Sequence, residues 1–244
     1  MKLTYTIDPY GGALIDAPSD TMTPDQFEVL IKATLSELRE QEFNLAWLQL
    51  PTVQANLVGI TVENGFFYHH ADAEGLQLVR RLRSDAFIPG YATHYIGAGG
   101  VVIDDQNRIL TIQEKYHTRK HYKLPGGALD PGEHISKGVV REVFEETGIK
   151  TEFISLNCFR HWHGYRYGKS DIYFVCRLKP LSSDITLDPR EISEAVWMPV
   201  EQFLEHADTH PFNRKIVNTA INNQGLQIEE IQDYGTRETH EMMF

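Results

Sequence analysis

The segment GGALDPGEHISKGVVREVFEETGIK, residues 126–150, constrains the fold and chemistry of this chain more than any other. Its second half has the residue pattern of a helix, yet it places Glu142, Glu145 and Glu146 within five residues. Like charges three or four residues apart lie side by side on a helix, and each such pair costs roughly 0.2–0.5 kcal/mol. A helix with this cluster therefore needs a positive partner that neutralises it.

A helical wheel places the three glutamates on one side of the predicted helix, within a sector of roughly 100°. The opposite face, which we expect to be buried, carries Val140, Val143, Phe144 and Thr147. Gly138 lies one turn earlier on the acidic side and leaves room for a ligand, and Arg141 is placed to hold a carboxylate by a bidentate pair. Carboxylates that converge on one point suit Mg²⁺ or Mn²⁺, so the pattern predicts a divalent metal site.

Three glutamates alone fit either a metal site or an acidic helix face in solvent. The spacing of the residues around them favours the metal site. Here they belong to nine restricted positions over 23 residues, namely Gly127, Glu133, Arg141, Glu142, Val143, Glu145, Glu146, Gly148 and Ile149. The pattern resembles the box of the Nudix hydrolase family, which hydrolyses nucleoside diphosphates linked to another group. The resemblance implies an α+β fold, in which a Nudix α/β/α sandwich with a mixed sheet follows a smaller α/β N-terminal domain.

The resemblance also implies roles for individual residues. Mg²⁺ or Mn²⁺ would be held by Glu142, Glu145, Glu146 and the backbone carbonyl of Gly126. Glu133 would act in the outer sphere or in an ion pair with Arg141. These two residues and the three glutamates form the predicted catalytic set. The proton of the attacking water needs a base, for which we favour Glu142, with Glu191 and Glu194 as alternatives.

A basic run, EKYHTRKHYK at residues 114–123, lies just upstream of the box. Its position predicts contacts with substrate phosphates, although an exposed basic loop fits the same residues. The residues that we expect to bind substrate are Tyr122, Lys123, Arg119, Arg160 and Tyr165.

The formal net charge of −11 argues against nucleic acid as a partner, because such proteins normally carry a basic face. A bound divalent cation would recruit an anionic nucleotide in spite of this charge. Apolar runs are only a few residues long, as in IYFVC, so no membrane association is expected. The first residues show no secretory pattern, and Cys158 and Cys176 are expected to be reduced and buried. These features predict a cytoplasmic protein.

Periodicity and turn residues divide the chain into four predicted parts. They are an N-terminal domain over 1–86, a linker over 87–94, a Nudix domain over 95–225 and an acidic C-terminal tail over 226–244. In the Nudix domain, the strand candidates YIGAGGVVID and RILTIQEKY are joined by a short turn that suits a hairpin. In the N-terminal domain, Thr23 and Pro24 predict the start of a long helix.

Two adjacent histidines, His69 and His70, stand in a strand candidate of the N-terminal domain. Neighbouring residues of a strand point to opposite faces, so we expect core or interface histidines rather than a shared metal site. Phe66, Phe67 and Tyr68 precede them and suit a packing surface. We therefore expect a homodimer formed through this half.

A broader resemblance concerns the substrate. The segments ENGFFYHHAD, YKLPGGALDPGE and EISEAVWMPVEQF are similar to two-domain Nudix enzymes that split ADP-ribose and NADH, whose N-terminal domain resembles part of an acetyltransferase fold. This implies AMP and a phosphorylated remainder as products, although Tyr122 stands where those enzymes tend to have Trp. One alternative is a dinucleoside polyphosphate hydrolase that uses Tyr165. Another is a non-catalytic regulator that senses ADP-ribose or another nucleotide.

Overall fold

Residues 1–117, 121–234, 236 and 238–244 are described by a computed structural model of the chain. The chain divides into two units, Met1–Ala92 and Thr93–Phe244. The finer bounds, with 87–94 as a linker and 226–244 as a separate tail, stay a prediction. In the described residues, no helix combines the length and the apolar character that a membrane crossing requires.

The first unit is a five-stranded sheet with one long helix packed against it. Its elements are β1 (Tyr5–Ile7), β2 (Gly12–Ile15), α1 (Pro24–Glu40), β3 (Leu45–Pro51), a 3₁₀ helix (Thr52–Leu57), α2 (Val58–Glu63), β4 (Phe67–Ala71) and β5 (Gly75–Arg81). The strand order is β1-β2-β3-β5-β4, and only β2 and β3 are parallel. Helix α1 begins as predicted, because the Thr23 hydroxyl and the Gln26 side chain form a capping box. Its buried stripe includes Phe27 and Ile31.

The two histidines of β4 lie on the same side of the strand, contrary to the prediction. The pairing of β4 with β5 shifts register between Tyr68 and His70, which marks a β-bulge at His69. The bulge brings the Nδ1 atoms of His69 and His70 to 2.7 Å from each other, and the His69 Nε2 atom lies 2.7 Å from the Pro89 carbonyl oxygen. The His70 ring stacks on Tyr91, with ring centroids 4.0 Å apart. These histidines therefore hold the segment after β5 against the sheet.

The described residues of the second unit form two sheets, three α-helices and one 3₁₀ helix. Its elements are β6 (His94–Val102), β7 (Arg108–Glu114), β8 (Gly126–Ala128), α3 (Ile135–Thr147), β9 (Thr151–Trp162), a 3₁₀ helix (Arg166–Gly168), β10 (Ser170–Pro180), β11 (Ile192–Pro199), α4 (Val200–Glu205) and α5 (Pro211–Asn222). The larger sheet has the order β8-β6-β10-β9, and the smaller one pairs β11 with β7. Strands β6 and β10 are parallel and the other pairs are antiparallel, so the larger sheet is mixed.

Helices cover both faces of the larger sheet. One apolar cluster joins Val102 of β6 and Cys176 of β10 to Val143 of α3. A separate cluster joins the neighbouring residues, Val101 and Val175, to α4 and α5. Because successive strand residues face opposite sides, this alternation places α3 on one face and α4 and α5 on the other. The predicted α+β class with an α/β/α sandwich is confirmed.

The predicted hairpin of β6 and β7 does not form as a continuous pair. A tight turn does follow β6, since the Asn107 N–H donates to the Asp104 carbonyl at 3.0 Å. Among the described residues, the bridge between Ile103 and Ile109 is the one pairing that joins the two strands, and β7 then pairs with β11. Both edges of β6 are already occupied by β8 and β10. A strand with two partners has no free edge for a third.

Candidate active site

The loop between β8 and α3 is fixed by an ion pair that the sequence predicted. The Arg141 guanidinium donates from Nε and Nη2 to the two carboxylate oxygens of Glu133, each at 2.8 Å. Glu133 Oε2 also accepts from the Asp130 N–H at 3.0 Å, which closes the loop. The hydrogen bonds with Arg141 lower the pKa of Glu133, and the same bonds raise the pKa of Arg141. This bidentate pair ties the loop to the middle of α3.

Arg141 also neutralises two of the three clustered glutamates. Its Nη1 donates to Glu142 Oε1 at 2.9 Å and to Glu145 Oε2 at 3.0 Å. In the described part of the chain, no group of three or more His, Cys, Asp or Glu side chains is gathered tightly enough to hold a metal. The three box carboxylates therefore do not meet at a single point as predicted, because a guanidinium lies between two of them. Their assignment as metal ligands stays a prediction.

The third glutamate, Glu146, points into the protein. Its side chain is 7% exposed, whereas Phe144, which the wheel placed in the core, is 48% exposed. Glu146 Oε2 accepts from the Gly126 N–H at 2.7 Å. Burial raises the pKa of Glu146 from 4.5 to about 7, although Lys123 and the Gly126 N–H act in the opposite direction. The buried face of α3 is thus rotated toward Glu146, and the wheel prediction was wrong on these two residues.

Two glycines of the box make close contacts that a side chain would prevent. A Cβ atom on Gly127 would lie 2.4 Å from Glu142 Oε2, so the carboxylate rests against the backbone of β8. A Cβ atom on Gly138 would lie 2.2 Å from Leu129 Cδ2 and 2.9 Å from Glu133 Oε2. Gly138 therefore leaves room for the loop side chains and not, as predicted, for a ligand.

The three candidate bases have different surroundings. Burial raises the pKa of Glu142, although its bonds with Arg141 act in the opposite direction. Glu191 lines a groove of about 530 Å³ together with Glu146 and Glu114. Glu194 instead accepts a hydrogen bond from the Tyr122 hydroxyl at 3.2 Å. Glu191 therefore lines the groove, Glu142 is bound by Arg141, and Glu194 is engaged by Tyr122.

A cleft of about 740 Å³ is lined in part by Gly126, whose N–H binds Glu146 of the acidic box. Its lining includes both basic and aromatic side chains and, among the described residues, no Asp or Glu, as follows: His117, His121, Lys123, Arg160, Trp162, Tyr173, His210 and Phe212. The cleft is thus opposite in chemical character to the box. The chain places the two side by side, with Gly126 common to both.

Arg160 is held firmly at the wall of this cleft. Its Nη2 lies 2.5 Å from a carboxylate oxygen of the buried Asp171. The guanidinium carbon lies 5.3 Å from the Trp162 ring centroid and 5.4 Å from that of Phe212. Such cation–π contacts orient the planar guanidinium. In the described chain, the buried Arg160 Nε has no hydrogen-bond partner.

The five predicted substrate residues are not all brought together. Lys123 and Arg160 line the cleft, and Lys123 pairs with Glu114 at 2.5 Å. Tyr122 is not among the described lining residues, because its hydroxyl donates to Glu194 and its ring contacts His206. Tyr165 is also not among the described lining residues, and its ring contacts Trp162 with centroids 5.5 Å apart. Arg119 lies outside the described residues.

Sequence reasoning missed the aromatic wall and the carboxylate that supports Arg160. Trp162 and Arg160 are two positions apart on β9, a spacing that places both side chains on one face of a strand. That spacing was an available signal. Phe212 and Asp171 come from α5 and β10, and no local pattern linked them to the box.

Comparison with known proteins places this arrangement among related chains. A family model described as the NUDIX domain matches residues 93–220, and one described as the Nudix hydrolase domain matches residues 3–82. Nudix hydrolase 8 of Arabidopsis thaliana is 39% identical over 203 residues, which are 81% of this chain and 55% of that protein. Nudix hydrolase 2 of the same plant is 38% identical over 201 residues, 81% of this chain and 72% of that protein.

A human relative is less identical but matches more of the chain. Nucleoside diphosphate-linked moiety X motif 6 of Homo sapiens is 34% identical over 224 residues, which are 88% of this chain and 71% of that protein. The chain thus spans about half the length of the first plant relative, with 55% covered, and more of the other two.

Because Glu146 is buried, we expect ionisation of its carboxylate to lower the free energy of unfolding measurably. Because its pKa in the fold is about 7 and not 4.5, the folded state holds a proton over this interval that the unfolded state has released. The protonated Glu146 side chain therefore contributes fully to the free energy of unfolding below pH 4.5. This contribution, roughly 3 kcal/mol, is lost as the pH rises through 7. Urea unfolding in the presence of a chelator would measure the difference in stability between Glu146→Gln and the natural chain. We expect this difference to shift in favour of the variant by about the same amount from pH 5 to pH 8. An equal difference at both pH values would contradict the burial of a titrating carboxylate.

A second prediction concerns Gly138. Gly138→Ala forces a methyl group into the Leu129 side chain, so we expect a loss of about 1–3 kcal/mol in the free energy of unfolding. Gly59→Ala is the matched control, because at this helical position no atom outside the chain neighbours and the helix's own backbone lies within 4 Å of a Cβ. It should be neutral or slightly stabilising. Equal stability of the two variants in thermal unfolding would show that Gly138 is not required by loop packing.

Proposed function

The chain belongs to the Nudix hydrolase family, and from that premise we propose that it hydrolyses the diphosphate bond of a nucleoside diphosphate derivative. ADP-ribose and NADH are the proposed substrates, with AMP and the phosphorylated remainder as products. The observation that carries this proposal is the position of Gly126. Its N–H binds the buried Glu146 of the acidic box, and the same residue lines the basic, aromatic cleft. A diphosphate across this point has its nucleoside in the cleft and its reacting phosphorus at the box.

Members of the family need divalent metal ions, and the donor atoms of the box suit one chemically, although in the described structure the carboxylates do not gather on one point. The donor set would consist of hard oxygen atoms from Glu142, Glu145, Glu146 and the Gly126 carbonyl, and Gly126 already binds Glu146 through its N–H. Two of these glutamates share the Arg141 Nη1, so the site is already arranged around a positive charge. Mg²⁺ or Mn²⁺ bound there supplies positive charge that offsets the diphosphate oxygens and favours deprotonation of water.

The protein groups then have separate tasks in the proposed reaction. Glu142 accepts the proton of the attacking water, for which a raised pKa makes it the better base near neutral pH. Glu191 is the alternative base, since it lines the same groove as Glu146. Arg141 and Glu133 keep the carboxylates in place through their bidentate pair. The oxygen of water bonds to phosphorus, and the bridging oxygen leaves with the phosphorylated group.

The cleft supports a nucleotide as the part of the substrate that is held. Trp162 and Phe212 offer flat surfaces for a base, and Arg160 and Lys123 offer positive charge for phosphate oxygens. Arg160 is held by Asp171 before any ligand arrives, so little rotamer entropy is lost on binding. Tyr122 serves this site indirectly in the proposal, because its backbone carbonyl accepts from Asn213, a residue of the cleft wall.

We also propose that the protein is a cytoplasmic homodimer. Both cysteines are free, as expected for a reducing compartment, although Cys158 is only partly buried and not buried as predicted. Strand β4 is an edge of the first sheet and exposes Phe67 and Tyr68. An exposed edge with aromatic side chains favours pairing with a second copy. Fluorescent-tagged protein confined to an organelle would contradict the location.

A substrate panel tests the proposed reaction. With Mg²⁺ or Mn²⁺, ADP-ribose or NADH should be cleaved to AMP, and Glu146→Gln should lower kcat by about 10³-fold or more. The exposed Glu152 gives a matched control, and Glu152→Gln should retain full activity. Faster cleavage of diadenosine tetraphosphate would favour the dinucleoside polyphosphate hydrolase. Tight ADP-ribose binding without turnover by folded protein would reject catalysis and favour a nucleotide-sensing regulator.

The dimer has its own test. Tyr68→Glu places a charge on the exposed edge strand, so light scattering should report a change from twice the chain mass of 28.0 kDa to that mass. Tyr10→Glu, at another exposed tyrosine of the same unit, should leave the dimer intact. A natural chain that elutes as a monomer at micromolar concentration would rule out this interface.

A further inference from the structure

A C-terminal hairpin, whose two arms are residues 226–229 and 241–244, extends the larger sheet beyond β9. Among the described residues, three backbone hydrogen bonds join the arms, two of them between Gln227 and Phe244 at 2.8 and 3.0 Å. Leu226 and Leu156 of β9 also exchange backbone bonds, both at 2.8 Å. Strand β9 is an edge of the sheet, so the hairpin occupies a ladder position that would otherwise be open.

The hairpin also reaches the helix that carries the box. Met243 packs against the apolar cluster that contains Val139 and Val143 of α3. The Glu241 carboxylate accepts from the Ser136 N–H, with its two oxygens at 3.2 and 3.3 Å. One end of the chain therefore contacts α3 through an apolar side chain and a charged one.

Helix α3 lacks the local features that normally begin a helix. Its N-cap residue, His134, makes no capping hydrogen bond with its side chain, and its first turn contains no acid. The first N–H groups of a helix need acceptors from outside. Glu241 supplies one from 105 residues away. A carboxylate at this end is also favoured by the helix dipole.

The Glu241 contact matters more because the C-terminal half of α3 carries three acidic side chains. Glu142, Glu145 and Glu146 lie in the second half of the helix, where the dipole disfavours negative charge. The three carboxylates of the box thus destabilise the helix that carries them. A cap at the first turn offsets part of that cost and holds the turn from which the acidic face continues.

We infer that Glu241 is a positioning residue for the box, and that the C-terminal hairpin is a clamp that holds α3 in register for metal binding. The inference deepens the proposed function, because its benefit falls on the predicted metal ligands. The NUDIX domain match ends at residue 220, before the hairpin begins. The clamp is therefore additional to the matched domain.

Amide hydrogen exchange tests the cap without metal or substrate. In Glu241→Ala, exchange at Ser136 should accelerate about five- to tenfold, the effect of losing one cap. Glu241→Gln keeps an acceptor oxygen and should restore most of the protection. The control is Glu229→Ala, which removes an equal charge from an exposed position of the same hairpin. Unchanged protection in Glu241→Ala would overturn the cap.

Titration with Mn²⁺ tests the positioning. We expect the Mn²⁺ dissociation constant to rise about three- to tenfold in Glu241→Ala, with recovery in Glu241→Gln and no change in Glu229→Ala. At saturating Mn²⁺, kcat should return to within about twofold of the natural chain, since the box residues are intact. Faster exchange with unchanged Mn²⁺ affinity would reject positioning and leave a purely structural contact. A natural chain that binds no Mn²⁺ would reject positioning and the proposed function together, whereas full Mn²⁺ binding without turnover would reject only the latter.

Discussion

The guanidinium of Arg141 is the interaction on which the rest of the site depends. It binds Glu133, Glu142 and Glu145 at distances of 2.8 to 3.0 Å, so one cation serves three anions. Separate surface pairs of this kind contribute little, but a bidentate pair within a partly buried network constrains geometry strongly. It fixes the loop after β8 to the middle of α3. It also explains how a helix can carry adjacent glutamates before any metal ion is present.

Close approach of backbones brings this network to the sheet. On β6, a Cβ atom at Gly100 would lie 2.9 Å from Val143, so the glycine lets α3 descend onto the strand. The descent places Glu146 inside the protein, where burial raises its pKa to about 7. A well-packed apolar residue would suit that position better for stability alone. Burial of the Glu146 carboxylate thus destabilises the fold, and the packing of α3 and the hydrogen bond from Gly126 together offset this effect.

Local patterns predicted the elements but not their exact orientation. The cap of α1 at Thr23 and the ion pair of Arg141 with Glu133 follow from short spacings and were predictable. The wheel placed Phe144 inside because apolar residues share that side, yet α3 packs around Val139 and Val143. The cap by Glu241 depends on a partner 105 residues away, and the bulge at His69 depends on the register in which β4 pairs with β5. Periodicity carries no information about such contacts.

The two ends of α3 solve one electrostatic problem in different ways. Acids at the C-terminal half oppose the helix dipole, and an acid at the N-terminal end accords with it. Glu241 and Arg141 therefore act in the same direction, one by completing the first turn and one by neutralising the later turns. Because neither contact uses the carboxylate of Glu146, that group stays available on the groove side. The residues that stabilise α3, Glu241 and Arg141, are thus different from Glu146, which the proposed reaction needs. Gly126 contacts Glu146 through its N–H.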